Sequence, residues 1–254
     1  MTEKNYSSSS LDKKNFLWQK PIAVVSDKKI DELSARLDTI AKKSGIKKIA
    51  NSLSAEDMLL LHHWHLELKL SGGDFFMLET GRLHQATLDY LYLVEKHYSV
   101  VIEKIIPNEM DVKQMVAEYG LNGFYDSIEA RKACCGVRKV SPLRRILSHA
   151  DLWVTGQRQG QGITRGTIEF QENDIGFGLE KYNPLFDWHE GEVFAYIKKY
   201  AVPLHPLYDK GYASIGCEPC SRAIKAEEDI RAGRWWWEYA TNKECGINQI
   251  NLQK

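Results

Sequence analysis

The sequence predicts an α/β fold whose core is a doubly wound, mostly parallel sheet, and three observations predict it. Short apolar segments alternate with longer amphipathic ones from residue 46 to residue 119, the pattern of strand–helix repeats. A further apolar segment, 151–155, runs into a glycine-rich turn, which is where such sheets bind ligands. The chain has 254 residues, a length at which one α/β domain buries a sizeable core.

Residues 1–20 are polar and Ser-rich and read as a mobile arm. Over 27–44, Ile30, Leu33, Leu37 and Ile40 follow helical spacing, and Gly45 is placed to end that helix. Three strand–helix pairs come next: 46–50 with 55–69, 75–78 with 82–97, and 100–106 with 108–119. A helix beginning at Ser141, with Pro142 suited to its first position, leads into the buried strand 151–155. A helix over 188–200 is followed by Pro203, Pro206 and a loop rich in Gly, Tyr and Pro. The organisation expected is therefore an arm, a main domain over 21–230, and a tail over 231–254 whose three tryptophans must dock onto the core.

Lys plus Arg and Asp plus Glu number 34 each, so no overall basic surface makes nucleic acid the default partner. Residues 1–20 lack the apolar core of a signal peptide. The most apolar stretch, 58–70, is interrupted by His62, His63, His65, Glu67 and Lys69 and is too short to span a bilayer. A soluble protein with no membrane partner, in the reducing cytoplasm, is the expectation. There, an odd count of five cysteines favours thiol chemistry or metal ligation over disulfides.

Cys134 and Cys135 are adjacent, and Cys217 and Cys220 form a C-x-x-C. Four thiolates close either a zinc site or an iron–sulfur cluster. Adjacent side chains diverge and reach one small ion with difficulty, so the spacing favours the wider cluster and leaves zinc open. Six basic and no acidic residues lie between Arg131 and Arg145, suited to a negative cluster or an anionic substrate, although charge alone favours a solvated helix face. Cys245 stands apart in the tail, either as a reactive thiol or as an incidental one.

Two segments suit anions. Ser52-Leu53-Ser54 precedes a helix start, where hydroxyls and backbone N–H groups converge on a positive dipole end; plain capping is the other use of such serines. The loop from Gly156 to Gly166 carries Arg158 and Arg165, which have the fork geometry for phosphate or sulfate; simple flexibility explains its glycines equally well. Arg231 and Arg234 flank the tryptophan run and point either to an anion or to ordinary tail packing.

Five ordered blocks together resemble the assimilatory sulfonucleotide reductases, specifically the iron–sulfur adenylyl-sulfate (APS) reductases. They are Cys134-Cys135-Gly-Val-Arg-Lys-Val-Ser-Pro-Leu-Arg-Arg145, Lys181-Tyr-Asn-Pro-Leu185 with Trp188, and Gly211-Tyr-Ala-Ser-Ile-Gly-Cys-Glu-Pro-Cys-Ser-Arg222. Glu227-Glu-Asp-Ile-Arg-Ala-Gly-Arg-Trp-Trp-Trp-Glu238 and Lys243-Glu-Cys-Gly246 complete the set.

The resemblance implies an adenine nucleotide alpha hydrolase-like fold in which the 21–230 domain binds nucleotide and holds a [4Fe–4S] cluster on Cys134, Cys135, Cys217 and Cys220. It implies that Cys245, on the tail, attacks the sulfur of APS, expels AMP and becomes an S-sulfonate that thioredoxin reduces to release sulfite, in assimilatory sulfate reduction. Ser52, Leu53 and Ser54 map to the family's phosphate turn, Arg158 and Arg165 to its basic loop, and Lys139 to the position between cluster and substrate. Arg231 and Arg234 map to the substrate's anionic end. The chain runs eight residues past Gly246, so the reductant is expected to be a separate protein. Self-association into a homo-oligomer is left open.

The chain departs from the family pattern at Ser54 (usually Gly), Glu79 (usually Asp), Gln159 (usually Arg) and Gly162 (commonly Ser). These changes touch the nucleotide pocket and keep the 3′-phosphorylated nucleotide (PAPS), or both nucleotides, as an alternative substrate. A zinc-stapled nucleotide-binding module without turnover is the alternative from another class. An RNA-thiolating enzyme ranks last, because S-G-G-x-D-S is absent from 52–57.

Overall fold

A computed structural model describes residues 24–161 and 168–238. Six strands form one sheet in the order β3-β2-β1-β4-β6-β5. These are β1 (Lys47–Ala50), β2 (Gly73–Leu78), β3 (Glu103–Ile105), β4 (Leu152–Val154), β5 (Gln171–Asp174) and β6 (Leu179–Tyr182). All neighbours are parallel except β5 and β6; Ile49 of β1 stands in register with Phe75 of β2 and with Val154 of β4.

Alternation along the strands feeds two cores, as the pleat requires. Phe75 and Met77 of β2 and Leu152 and Val154 of β4 join the larger one, and Phe76 and Trp153 point to the smaller one. The larger core is closed by α1 (Asp27–Ala41), α2 (Ala55–His62), α3 (Gln85–Tyr98) and α7 (Glu190–Lys199). The smaller is closed by Leu143 and Leu147 of α6 (Ser141–Leu147). The doubly wound expectation therefore holds.

Within α1 the predicted Ile30, Leu33, Leu37 and Ile40 are the buried residues, and Ser26 caps the helix by accepting the Lys29 N–H. The helix stops before Gly45, whose task is different. At φ +89° it lets the chain pass Asp151, whose carboxylate would clash with any added Cβ.

The predicted amphipathic helix 55–69 is instead buried on every side through His62, and then widens into a π-turn over His63–Glu67. Tyr98 and Tyr196 each meet one ring nitrogen of its buried histidines: the Tyr98 hydroxyl lies 3.1 Å from His62 Nδ1 and the Tyr196 hydroxyl 2.8 Å from His63 Nδ1. Burial holds His63 down at about 4, hence neutral at ordinary pH.

Three elements differ from expectation. The helix expected to begin at Ser141 continues an earlier one: α5 (Ile128–Cys135) runs through a π-turn, Gly136–Val140, directly into α6. There the Ser141 N–H donates to the Gly136 carbonyl, and the widened turn admits Pro142. The β5–β6 hairpin was not anticipated, because Gln171-Glu-Asn-Asp174 has no strand propensity of its own and is held by pairing with β6. Strand 100–106 shortens to three residues at the sheet edge. Helix α4 (Glu109–Tyr119) lies on the surface and buries only Met115.

The arm 1–20 lies outside the described residues. Among those described, no helix is long and apolar enough to cross a membrane.

Candidate functional site

A cavity of about 350 Å³ opens at the carboxyl ends of β1, β2 and β4. From β1 the chain winds outward to β2 and β3, and from β4 to β6 and β5; the β1/β4 seam is thus the switch point at which doubly wound sheets take ligands. Phe76, Leu78, Leu143 and Trp153 make one end apolar, and polar groups from three loops line the rest.

The turn after β1 is held almost wholly from within. Ser52 donates both its N–H (2.7 Å) and its hydroxyl (2.6 Å) to the Asp57 carboxylate, and the Leu53 N–H reaches Asn51 Oδ1 at 2.9 Å. The Ala55 N–H at the start of α2 goes to the Tyr208 hydroxyl at 3.1 Å. Ser54 is the N-cap at φ −70° and ψ 166°, accepting from the Asp57 N–H at 3.3 Å. Glycine's conformational freedom is therefore not needed at position 54.

The left-handed residue is Leu53 (φ 62°), and its side chain is buried in the core. Ser52 and Ser54 line the cavity; Leu53 is not among its lining residues. Burial pushes the Asp57 carboxyl up to about 6, helped by the Glu56 charge and opposed by the Ser52 hydrogen bonds.

Arg158, expected to fork onto an anion, lines the cavity but is buried with its Nε 2.7 Å from Glu56 Oε1. Burial alone would raise the Glu56 carboxyl, yet the Arg158 charge and the Gln161 hydrogen bond outweigh it and hold it below the usual range. Gly156 is the glycine of this loop that packing requires, because a Cβ there would stand 2.5 Å from Asp57 Oδ1. Gln159 binds the Ile168 carbonyl at 3.0 Å. Arg165 and Gly162 lie outside the described residues.

The opposite wall belongs to the cysteines. Cys134 and Cys135 end α5, and Cys217 and Cys220 bracket a single turn containing Pro219. Cys217 and Cys220 pack with Phe124 and Trp235, and Cys134 lies against that group. A small pocket is lined by all four cysteines together with Arg138 and Lys139. Thr80 Oγ1 sits 3.2 Å from Cys217 Sγ, and Arg138 Nη1 donates to the Thr80 carbonyl at 2.7 Å. Burial pushes the Cys134 thiol up and the Cys220 thiol to about 11, while Lys139 and Arg234 pull the latter down.

The basic run divides here. Arg131 and Arg138 are buried at the cysteines, whereas Lys132, Arg144 and Arg145 face outward. Lys139 and Cys217 line both the cysteine pocket and the larger cavity.

The described start of the tail docks as predicted. Trp235 is 1% exposed; its backbone N–H donates to the Cys220 carbonyl at 3.3 Å, and Arg234 pairs with Ser221 in a short antiparallel bridge. Arg231 and Arg234 line the large cavity, and Gly216 leaves room for the Arg234 guanidinium, which occupies the space a Cβ would need. Cys245 lies outside the described residues.

The donor chemistry around the cysteines tests what they fit. Arg138 Nε and Trp235 Nε1 are buried with no hydrogen-bond partner. Metal-bound thiolates, and the sulfides of an iron–sulfur group, offer acceptors to such donors. Among the described residues, no three His, Cys, Asp or Glu side chains gather so as to hold a single metal ion. The residues are compatible with an iron–sulfur group.

Sequence reading passed over Asp57, Glu56, Thr80 and Tyr208. The acidic pair Glu56–Asp57 in the first turn of α2 was a visible signal. Tyr208 left none, since it reaches Ala55 from 153 residues away.

The sequence model of the phosphoadenosine phosphosulfate reductase domain matches residues 47–223. Over 223 residues the chain is 49% identical to an adenosine 5′-phosphosulfate reductase of Burkholderia cepacia, covering 87% of each chain. It is 48% identical to a protein of that name from Allochromatium vinosum, over 79% of this chain and 77% of that one. Among solved structures, a phosphoadenylyl-sulfate reductase from Candida auris in a phosphate complex superposes with a TM-score of 0.61 at 20% identity, over 80% of this chain and 99% of that one. An FMN adenylyltransferase from Candida glabrata in complex with ATP gives 0.52 at 13% identity, over 90% and 79%. At those identities both structures speak to the fold alone.

Proposed function

Because the chain belongs to the phosphoadenosine phosphosulfate reductase domain family, we propose that its cavity binds adenylyl sulfate, with a [4Fe–4S] cluster on Cys134, Cys135, Cys217 and Cys220 beside it. The enzyme is an oxidoreductase that reduces adenylyl sulfate to sulfite and AMP in sulfate assimilation. The observation that carries the active-site reading is the sharing of Lys139 and Cys217 by the nucleotide-sized cavity and the cysteine pocket.

The nucleophile in this reading is the Cys245 thiolate. It attacks the sulfate sulfur, the bond from that sulfur to the phosphate oxygen breaks, and its electron pair leaves with AMP. Cys245 is left as an S-sulfonate. A thiolate of a dithiol reductant of the thioredoxin class then attacks the Cys245 sulfur, sulfite departs with the bonding pair, and the reductant's second thiol resolves the mixed disulfide. The two electrons thus come from the reductant, as suits the cytoplasm.

Lys139, Arg231 and Arg234 border the cavity on the tail's side and supply positive charge to the phosphosulfate. Arg165 would add to that charge from the neighbouring loop. Arg158, already paired with Glu56, acts through the shape of the wall it shares with Ser52 and Ser54, and contributes less charge to an incoming anion. When bound, the cluster supplies a fixed charge beside Lys139 and a cross-link between the two cysteine pairs.

Mixing the anaerobically purified protein with adenylyl sulfate and no reductant tests this. Mass spectrometry is expected to find one sulfonate on the Cys245 peptide, with less after mixing with the 3′-phosphorylated nucleotide. Sulfonate on another cysteine, or none at all, would refute the nucleophile. Zinc in place of iron and acid-labile sulfide would return the chain to a stapled binding module.

A further inference from the structure

Arg131 is 0% exposed and stands on α5, three and four residues before Cys134 and Cys135. Its Nε donates to Glu238 Oε1 at 2.5 Å, and the Glu238 side chain is only 5% exposed. The guanidinium carbon lies 4.9 Å from the centroid of the Trp235 ring, within range of cation–π attraction. The second Glu238 oxygen, Oε2, is buried without a hydrogen-bond partner.

Burying an ion pair costs desolvation that its own attraction barely offsets, so apolar residues of similar size would hold two segments together at least as well. What an ion pair adds is register. It sets which residue of one segment meets which residue of the other, because a slip leaves a charge buried and alone. Here the segments are the helix that carries two of the cysteines and the last described residue before Cys245, seven positions further on. Seven residues reach at most about 25 Å, so the position at which Glu238 is held bounds how far from it Cys245 can lie.

We propose that Arg131 and Glu238 form a clasp that holds the chain at residue 238, seven positions before Cys245, against the cysteine helix, making both positioning residues for the attack on adenylyl sulfate. The inference rests on the reading of Cys245 as the nucleophile. Neither side chain needs to touch substrate; each acts through the tail.

Two variants of the full-length protein with its cluster test it. Glu238→Gln keeps the shape and removes the charge, and the double variant Arg131→Met/Glu238→Met replaces the pair by apolar residues of similar size and is expected to fold. Both are expected to retain iron and to bind AMP as the wild type does. In a single turnover without reductant, Cys245 sulfonation should slow by about tenfold or more, the cost of a misplaced nucleophile. With AMP bound, alkylation of Cys245 by iodoacetamide, followed on its peptide, should quicken in both.

Unchanged sulfonation and alkylation rates with iron retained would overturn the clasp, as would loss of iron from a folded double variant, which would make the pair a support of the cysteine pocket. The two readings fail separately. A wild-type Cys245 that is never sulfonated sinks the catalytic one, whereas the alkylation contrast still judges the clasp.

Discussion

The two walls of the large cavity are built on opposite terms. Along the β1/β4 wall most polar groups find partners within the protein: Ser52 with Asp57, Leu53 with Asn51, Ala55 with Tyr208, and Arg158 with Glu56, with Trp153 Nε1 an exception. Along the cysteine wall, Arg138 Nε, Trp235 Nε1 and Glu238 Oε2 are buried without partners, and Cys134 and Cys220 are thiols that burial disfavours as thiolates. Buried polar atoms are normally paired, so the three orphans on the cysteine wall are compatible with a bound group there, while the bonded turn and loop of the other wall hold each other.

Removing a sulfur is the most severe way to probe that contrast. Cys217→Ser is expected to lose iron and acid-labile sulfide altogether and with them sulfite production, while AMP still binds measurably by calorimetry because the β1/β4 wall keeps its own bonds. Complete loss of AMP binding would break the claim that this wall is self-supporting.

A smaller effect sharpens the claim from the other side. The Asp57 carboxyl is pushed up from 3.8 to about 6, chiefly by burial, so the fold favours its protonated form. That contribution to stability is complete below pH 3.8 and is lost as the pH rises through about 6. Between about pH 5 and pH 7, the urea stability of the wild type relative to Asp57→Asn should therefore fall by on the order of 1 kcal/mol. Comparison with the variant cancels the opposite trend from buried His63 and His205, both held at about 4 and so destabilising as the pH falls. A difference that does not change with pH would mean that Asp57 is solvated and the wall less closed than described.

The gentlest test concerns the cap. Ser54→Ala removes the acceptor of the Asp57 N–H and should cost about 0.5–1 kcal/mol in urea unfolding, whereas Ser54→Gly, the family's usual residue, should cost a few tenths. Equal costs would show that the hydroxyl caps nothing.

Much of this arrangement is legible in the order of residues. Alternating apolar and amphipathic segments announce the sheet, the spacing of Ile30, Leu33, Leu37 and Ile40 announces the face of α1, and the paired cysteines come together at one pocket. The hairpin β5–β6 is not legible, since a strand written Gln-Glu-Asn-Asp exists only because β6 offers it hydrogen bonds. Nor is the continuity of α5 with α6, where Pro142 reads as a helix start and sits instead after a π-turn.

Residue types by themselves determined which groups are able to do chemistry here: sulfurs for metal, cations for an anion, serines for a helix start. Only the folded chain decided where each of them stands. Arg158 and Lys139 are both cations in sequence, yet one is buried against Glu56 and the other lines both the large cavity and the cysteine pocket. Local pattern sets a side chain's charge and its face, but whether that charge meets an opposite one depends on partners from far along the chain, as Glu56 reaches Arg158 across 102 positions, which periodicity does not encode.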